Sequence, residues 1–276
     1  MYVQAADREG RKPVTVPRLR EMKAQGEKIA ALTCYDASFA AHVETAGVDI
    51  ALVGDSLGMV VQGRSSTLAV TLDEVVYHCA SVSRGVSFAL LTADLPFMSY
   101  RNPDVALDSS ARLMAEGGAA MVKLEGGDAW VCEVIEALTA HEVPVCAHLG
   151  LTPQSVHKLG GYRMQGKSGD AAARMREQAR AVAEAGAELL VLESVPQALA
   201  ARITEEIAIP TIGIGAGRDC DGQVLVLYDM LGITPGRRPK FSKDFLAGSE
   251  SITAAIAAYV ADVRAGRFPA DENILG

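Results

Sequence analysis

Three times in this chain an amphipathic stretch runs into a glycine and then into a short apolar run: AAHVETAGVDIALVGDS, ARLMAEGGAAMVKLEGG and ARAVAEAGAELLVLESV. Helical spacing followed within a few residues by a strand-like run is the αβ connection of a repeating βα fold. Gly47, Gly118 and Gly186 fall where each helix must stop, and glycine takes the left-handed C-cap conformation without steric cost. Further apolar runs occupy the intervals: IAALTCYD, FALLTADLP, VPVCAHLG, IPTIGIGAG and GQVLVLYDM. With about eight candidate strands, most separated by a helical pattern, a chain of 276 residues has the size of a (β/α)8 TIM barrel. A doubly wound open sheet is the competing α/β arrangement. Against it, no glycine fingerprint follows the first strand and the pattern does not break into halves. A single barrel domain over residues 1–276 is therefore expected, with VPRLREMKAQGE ahead of the first strand as a short N-terminal helix closing the barrel bottom.

Composition agrees with a sheet covered by helices. The chain is 49% hydrophobic but only 5% aromatic, so its core is built from Ala, Val, Leu and Ile, the usual filling of parallel sheets. The net charge of −8 is spread among interspersed acids and bases, which implies a solvated surface and no nucleic-acid partner. Five cysteines, odd in number and without a C-x-x-C pair, argue against a zinc site or disulfide framework and for a reducing cytoplasm. The opening MYVQAADREGRKPVTVP lacks the apolar core of a signal peptide, and no run approaches the roughly 20 apolar residues that span a bilayer. The expectation is a soluble cytoplasmic protein with no membrane partner.

In a βα barrel the active site lies at the C-terminal ends of the strands. Here those ends carry acids: Asp55 in LVGDS, Asp94 in TADLP, Glu125 in MVKLEGG and Glu193 in LVLESV, with His148 in CAHLG. One such acid is as readily a cap for the following helix. Four converging on one volume repel each other and need a positive partner. Lys123 shares the face of Glu125 by the two-residue strand period, but one lysine does not offset four acids. A divalent cation would, and carboxylate oxygens suit Mg2+ better than zinc. With one acid left over as a base, the set suggests proton abstraction beside a metal-bound carbonyl. Ser56 with His148 would be a nucleophilic alternative, but no G-x-S-x-G elbow surrounds Ser56. GIGAG at 213–217 reads as a close-packed turn rather than a phosphate cradle. The basic, glycine-rich segment 158–170 is either a tolerated insertion or a mobile lid.

The blocks TCYDASFA, LVGDSLGMVVQG, TADLPFMSY, MVKLEGG, HLGLTPQS, LLVLESVP and IGIGAG, with the KF at 240–241, resemble in order the ketopantoate hydroxymethyltransferase family. The resemblance covers about residues 19–263; residues 1–16 and the tail GRFPADENILG carry none of it. It implies a (β/α)8 barrel that transfers a one-carbon unit from 5,10-methylenetetrahydrofolate to 3-methyl-2-oxobutanoate, giving 2-dehydropantoate in pantothenate synthesis. By the matching motifs it implies Mg2+ on Asp55, Asp94 and Glu125, although Mn2+ or Co2+ could share these ligands. Ser56 and Lys123 would hold the keto acid together with Asp55, Asp94 and His148, and Glu193 would be the general base. The family more often has cysteine where this chain has Ser194, which strand alternation should point away from Glu193. Arg163 and Lys167 either attract the glutamate tail of the folate or are simply solvated. The family usually forms decamers, so a homo-oligomer is implied. Mg2+-dependent lyases and mutases of the isocitrate lyase/phosphoenolpyruvate mutase group are the rival enzyme reading, and a catalytically dead scaffold barrel is the rival outside enzymology.

Overall fold

The computed structural model describes residues 11–275. The first ten residues and the last fall outside it, and with them parts of the expected leaderless N-terminus and of the 1–276 domain span. Eight strands run β1 Ile29–Thr33, β2 Ile50–Val53, β3 Leu90–Asp94, β4 Met121–Glu125, β5 Val145–Gly150, β6 Leu189–Glu193, β7 Thr211–Ile214 and β8 Gly222–Leu225. Each pairs in parallel with the next, and β8 pairs back onto β1 (Ile29 opposite Gly222, Ala31 opposite Val224), so the sheet is a closed (β/α)8 barrel with no free edge.

The helices that cover it are α1 Val16–Gln25, α2 Ala37–Ala46, α3 Leu57–Val60, α4 Leu72–Ser83, α5 Pro103–Ala115, α6 Ala129–Ala140, α7 Val156–Leu159, α8 Gly169–Glu184, α9 Gln197–Glu206, α10 Leu227–Met230 and α11 Ile252–Arg264. Their starts follow side-chain capping rules. Asp36, Thr71, Asn102 and Ser168 each accept a backbone N–H of the following first turn. Their ends follow the glycines. Gly47, Gly118 and Gly186 all have positive φ (85°, 78° and 105°). In each case the next residue's N–H returns to the last turn, Val48 to Val43, Ala119 to Leu113 and Ala187 to Val182.

Two apolar layers result from the two-residue strand period. Outward residues such as Ala51, Val53, Val122, Leu124, Leu190 and Leu192 pack under the helices. Inward residues of the lower barrel, among them Ile29, Ile50, Leu90, Met121 and Leu189, form a separate interior cluster that Leu19 and Met22 of α1 close from below. Helix α1 is thus the barrel plug that its sequence position suggested. Two details differ from the sequence reading. Strand β2 ends at Val53, two residues before Asp55, and the run GQVLVLYDM is not one strand: it leaves the sheet after Leu225 and turns helical at Leu227. The barrel rim ends there, where Thr33 Oγ1 accepts the Leu227 N–H at 3.0 Å.

Candidate active site

Along β3, β4, β5 and β6 the inward positions change from apolar at the bottom to polar at the C-terminal end, whereas those of β2, β7 and β8 stay apolar. On β4 the series is Met121, Lys123, Glu125; on β3 it is Leu90, Thr92, Asp94; on β5 Cys146 precedes His148; on β6 Leu189 and Val191 precede Glu193. The strand period alone brings these side chains to one end of the barrel interior. Asp94, Lys123, Glu125, His148 and Glu193 line a cavity of about 160 Å³ together with Asp55, Ser56, Thr67, Tyr162 and an apolar wall that includes Leu52, Val191, Ile214, Val224 and Phe241. All seven residues singled out in the sequence (Asp55, Ser56, Asp94, Lys123, Glu125, His148 and Glu193) border this one space. A larger open groove, about 1110 Å³, crosses the opposite end beside α1 and holds none of the seven.

Lys123 Nζ donates to Asp94 Oδ1 at 2.9 Å, and the Asp55 N–H donates to Asp94 Oδ2 at 2.9 Å. Burial works against a charged Lys123, yet the carboxylates of Asp94, Glu125 and Asp55 outweigh it and raise its pKa, so the ammonium persists. Asp55 is pushed the other way: burial first, then the like charges of Asp94 and Glu125, hold its carboxyl well above the usual range. His148 stands between two acids, with Nδ1 3.5 Å from Glu125 and Nε2 3.4 Å from Glu193. Neither nitrogen makes a hydrogen bond, so these are charge contacts. Burial and Lys123 oppose protonation of the imidazole, but the two carboxylates prevail and bring its pKa up to about 9. Ser56 Oγ lies 2.6 Å from the Tyr35 hydroxyl, so the buried tyrosine orients it. No bond joins Ser56 to His148 among the described residues, and the nucleophilic arrangement weighed from sequence is not assembled.

Three groups at the site were not legible in the motifs. Gln154, from the short 3₁₀ turn Pro153–Ser155, donates its side-chain N–H to Asp55 Oδ2 at 2.9 Å and its backbone N–H to Glu125 Oε2 at 3.0 Å. Tyr35 follows β1, and Tyr100 follows β3 and donates to Gln154 Oε1 at 2.8 Å. Each comes from a loop, where no periodicity announces direction. The segment 158–170 brings Tyr162 to the cavity and is tied to the end of β6 by a Gln165 N–H to Ser194 O bond of 2.9 Å. Ser194 itself lies just past the strand at φ 48°, so strand alternation does not govern its direction. GIGAG is the close-packed turn expected: a Cβ at Gly217 would meet the Gln197 side chain at 2.5 Å.

Whether these residues suit a divalent cation is a matter of donor chemistry and charge. Among the described residues no three His, Cys, Asp or Glu side chains stand together in ligating geometry. One oxygen each of Asp94, Glu125 and Asp55 takes a bond from Lys123 or Gln154. The donors nonetheless fit: Asp55, Asp94 and Glu125 are hard oxygen ligands, buried, and close enough for Asp94 and Glu125 to raise the pKa of Asp55.

The family model for ketopantoate hydroxymethyltransferase matches residues 13–271. This chain belongs to that family. The match extends past both ends of the region that carries the sequence motifs, into part of the tail that had shown no resemblance. The chain is 58% identical over 256 residues to the 3-methyl-2-oxobutanoate hydroxymethyltransferase of Nitrosococcus oceani, covering 93% of this chain and 97% of the relative. It is 56% identical over 272 residues to that of Burkholderia thailandensis, covering 99% and 98%. Membership makes the chain an enzyme, against the scaffold reading. Among solved structures, a putative phosphonomutase from Burkholderia cenocepacia aligns with TM-score 0.62 at 18% identity, over 79% of this chain and 94% of that one. A phosphonopyruvate hydrolase solved with oxalate and Mg2+ aligns with TM-score 0.59 at 13% identity, over 76% and 80%. At such identities the likeness to these two shows the barrel fold alone. No helix among the described residues is long and apolar enough to cross a membrane.

Proposed function

We propose that this enzyme transfers a hydroxymethyl group from 5,10-methylenetetrahydrofolate to 3-methyl-2-oxobutanoate, giving 2-dehydropantoate for pantothenate synthesis. The observation that carries the reading is the gathering of Lys123, His148, Ser56 and the four strand-end acids in one cavity. The chain that builds it is more than half identical to named hydroxymethyltransferases. Asp55, Asp94 and Glu125 would hold the cation, Mg2+ or one of its relatives Mn2+ and Co2+, which when bound supplies the Lewis-acid charge that makes the C3 proton of a 2-oxo acid removable.

The rest is done by the chain. Ser56, its hydroxyl oriented by Tyr35, and Lys123 hold the polar end of the keto acid. The isopropyl group faces Leu52, Val191, Ile214 and Val224. Glu193 takes the C3 proton, and His148, 3.4 Å away, steadies that carboxylate. The Lys123 ammonium opposes the negative charge that develops on the enolate oxygen. Carbon C3 then bonds to the methylene carbon of the folate in its opened iminium form. One water then replaces the folate nitrogen on that carbon: the C–N bond breaks, the water oxygen becomes the new hydroxyl and its proton goes to the nitrogen. Tetrahydrofolate leaves, while the proton on Glu193 balances the one taken up when the folate ring opened. Segment 158–170, with Tyr162 at the cavity, serves as the lid, and Arg163 and Lys167 on it face the acidic tail of the folate. Cytoplasmic residence and a decameric assembly complete the reading. The five free thiols suit a reducing compartment, and the family resemblance supports the oligomer.

Deuterium uptake at C3 of 3-methyl-2-oxobutanoate in D₂O, followed by NMR with Mg2+ and with EDTA, tests the enolising half. Exchange that requires metal and disappears in Glu193→Gln supports it, and hydroxymethyl product on adding 5,10-methylenetetrahydrofolate completes it. No exchange by the wild-type protein would sink the reading, and cleavage of a 2-oxo acid without folate would put a lyase in its place.

A further inference from the structure

Gln154 holds two of the site's four acids, Asp55 and Glu125, from outside the strands. It is buried, at 7% exposure, in the turn that follows β5. Its side-chain Nε2 donates to Asp55 Oδ2 at 2.9 Å and to the Leu95 carbonyl at 3.1 Å. Its Oε1 accepts from the Tyr100 hydroxyl at 2.8 Å. Both N–H partners are pure acceptors and the third is a hydroxyl, so the amide has one orientation only. Tyr100 is in turn held flat against Trp130, ring centroids 6.0 Å apart and planes 14° apart. The amide is thereby locked by Tyr100 on one side and Leu95 on the other, leaving its second N–H aimed at Asp55. The backbone N–H of the same residue takes Glu125 Oε2 at 3.0 Å.

A hydrogen bond to one oxygen of a carboxylate sets the rotation of the whole group and therefore the direction of the other oxygen. Gln154 does this to two acids at once, one through its side chain and one through its main chain. It does so without charge: a lysine there would compete with a cation, and a glutamate would add to the repulsion that already raises Asp55.

We propose that Gln154 is a positioning residue that presets Asp55 and Glu125 for a divalent cation, with Tyr100 as the group that locks its amide. The inference rests on the reading above, in which those acids hold the metal. Hydrogen-bond partners of ligands are worth about 10- to 100-fold in metal affinity. Manganese serves as the probe, because free Mn2+ is counted directly by its paramagnetic resonance signal. Gln154→Met keeps length and volume while removing every side-chain bond. Tyr100→Phe keeps the stack on Trp130 and removes only the hydroxyl. The expected result is a Kd for Mn2+ raised about 10- to 100-fold in Gln154→Met and by a smaller factor in Tyr100→Phe. The metal concentration for half-maximal C3 exchange should move by the same factor. A purely structural role would lower thermal stability and leave both metal readouts where they were. Wild-type Mn2+ affinity in folded Gln154→Met overturns the inference; if that variant does not fold, wild-type affinity in Tyr100→Phe overturns it. In either case C3 exchange by the wild-type protein leaves the proposed function standing. A wild-type protein that binds no Mn2+ and exchanges nothing overturns both together.

Discussion

Lys123 and Asp94 are register partners on adjacent strands, and their side chains meet at 2.9 Å with both buried. The pair therefore belongs to the barrel as well as to the candidate site. Removing one member of a buried pair strands the other charge, which costs about 3–5 kcal/mol. Lys123→Met, unfolded in urea in the presence of EDTA, should lose stability on that scale. Adding Asp94→Asn should recover a substantial part of it. A loss below about 1 kcal/mol would mean that Asp94 does not depend on Lys123 for its counter-charge.

This pair also marks how far the sequence could be read. Strand period two placed Lys123 and Glu125 on one face, and the shared strand-end position placed Asp94 beside them. Asp55 was legible only by its place after β2, since it lies two residues past the strand and shares the parity of the outward Val53. The partner of each side chain was not legible. That Lys123 takes Asp94 rather than its strand neighbour Glu125, or that His148 bridges Glu125 and Glu193, depends on the registers β3–β4, β4–β5 and β5–β6. Those registers are properties of closure, and no local pattern carries them. Loop residues were harder still. Gln154 sat inside a recognised block, HLGLTPQS, yet only the turn after β5 aims it at Asp55. The end of β8 was misjudged because an apolar run such as VLVLYDM does not by itself distinguish strand from buried helix.

Tyr35 supports Ser56 from behind through a contact of 2.6 Å. Tyr35→Phe removes only that hydroxyl, and one net hydrogen bond is worth about 0.5–1.5 kcal/mol. The expected outcome is a KM for 3-methyl-2-oxobutanoate raised by up to about tenfold, with kcat less affected, since in the proposed reaction Ser56 binds rather than reacts. Steady-state kinetics at saturating folate would show it. A fall in kcat at constant KM would assign Ser56 to the transition state instead.

Gly150 sits opposite Glu193 in the β5–β6 register, at φ 100°, and a Cβ there would lie 2.2 Å from the Glu193 carbonyl oxygen. Backbone must move to admit it. Gly150→Ala should therefore lose more than the about 1–3 kcal/mol of left-handed strain alone. It should also slow C3 exchange by about 100-fold, the scale expected if Glu193 is the base of the proposed reaction. Gly26, at φ 68° with open space around it and at the far end of the barrel, is the control. Gly26→Ala should cost about 1 kcal/mol and leave the exchange rate as it was. Equal exchange rates in the two variants would show that Glu193 tolerates the displacement.

Helix α4 offers a test of the fold away from the site. Thr71 accepts the Glu74 N–H, and Glu74 Oε2 returns to the Thr71 N–H at 2.7 Å, a reciprocal cap at the helix start. Thr71→Ala should cost about 1 kcal/mol. Slight burial works against the charged Glu74, but the Thr71 bonds and Arg64 outweigh it and hold its carboxyl below the ordinary value of 4.5. A depressed folded pKa means that the charged cap stabilises above the unfolded pKa, and that this contribution is lost as pH falls through the folded pKa. Glu74→Gln should accordingly be less stable than wild type at pH 7, and the gap should close as pH falls through the lowered folded pKa of Glu74. Urea midpoints of the two proteins across that range would decide it, and a gap that widened toward acid would show that the carboxylate is not what caps α4.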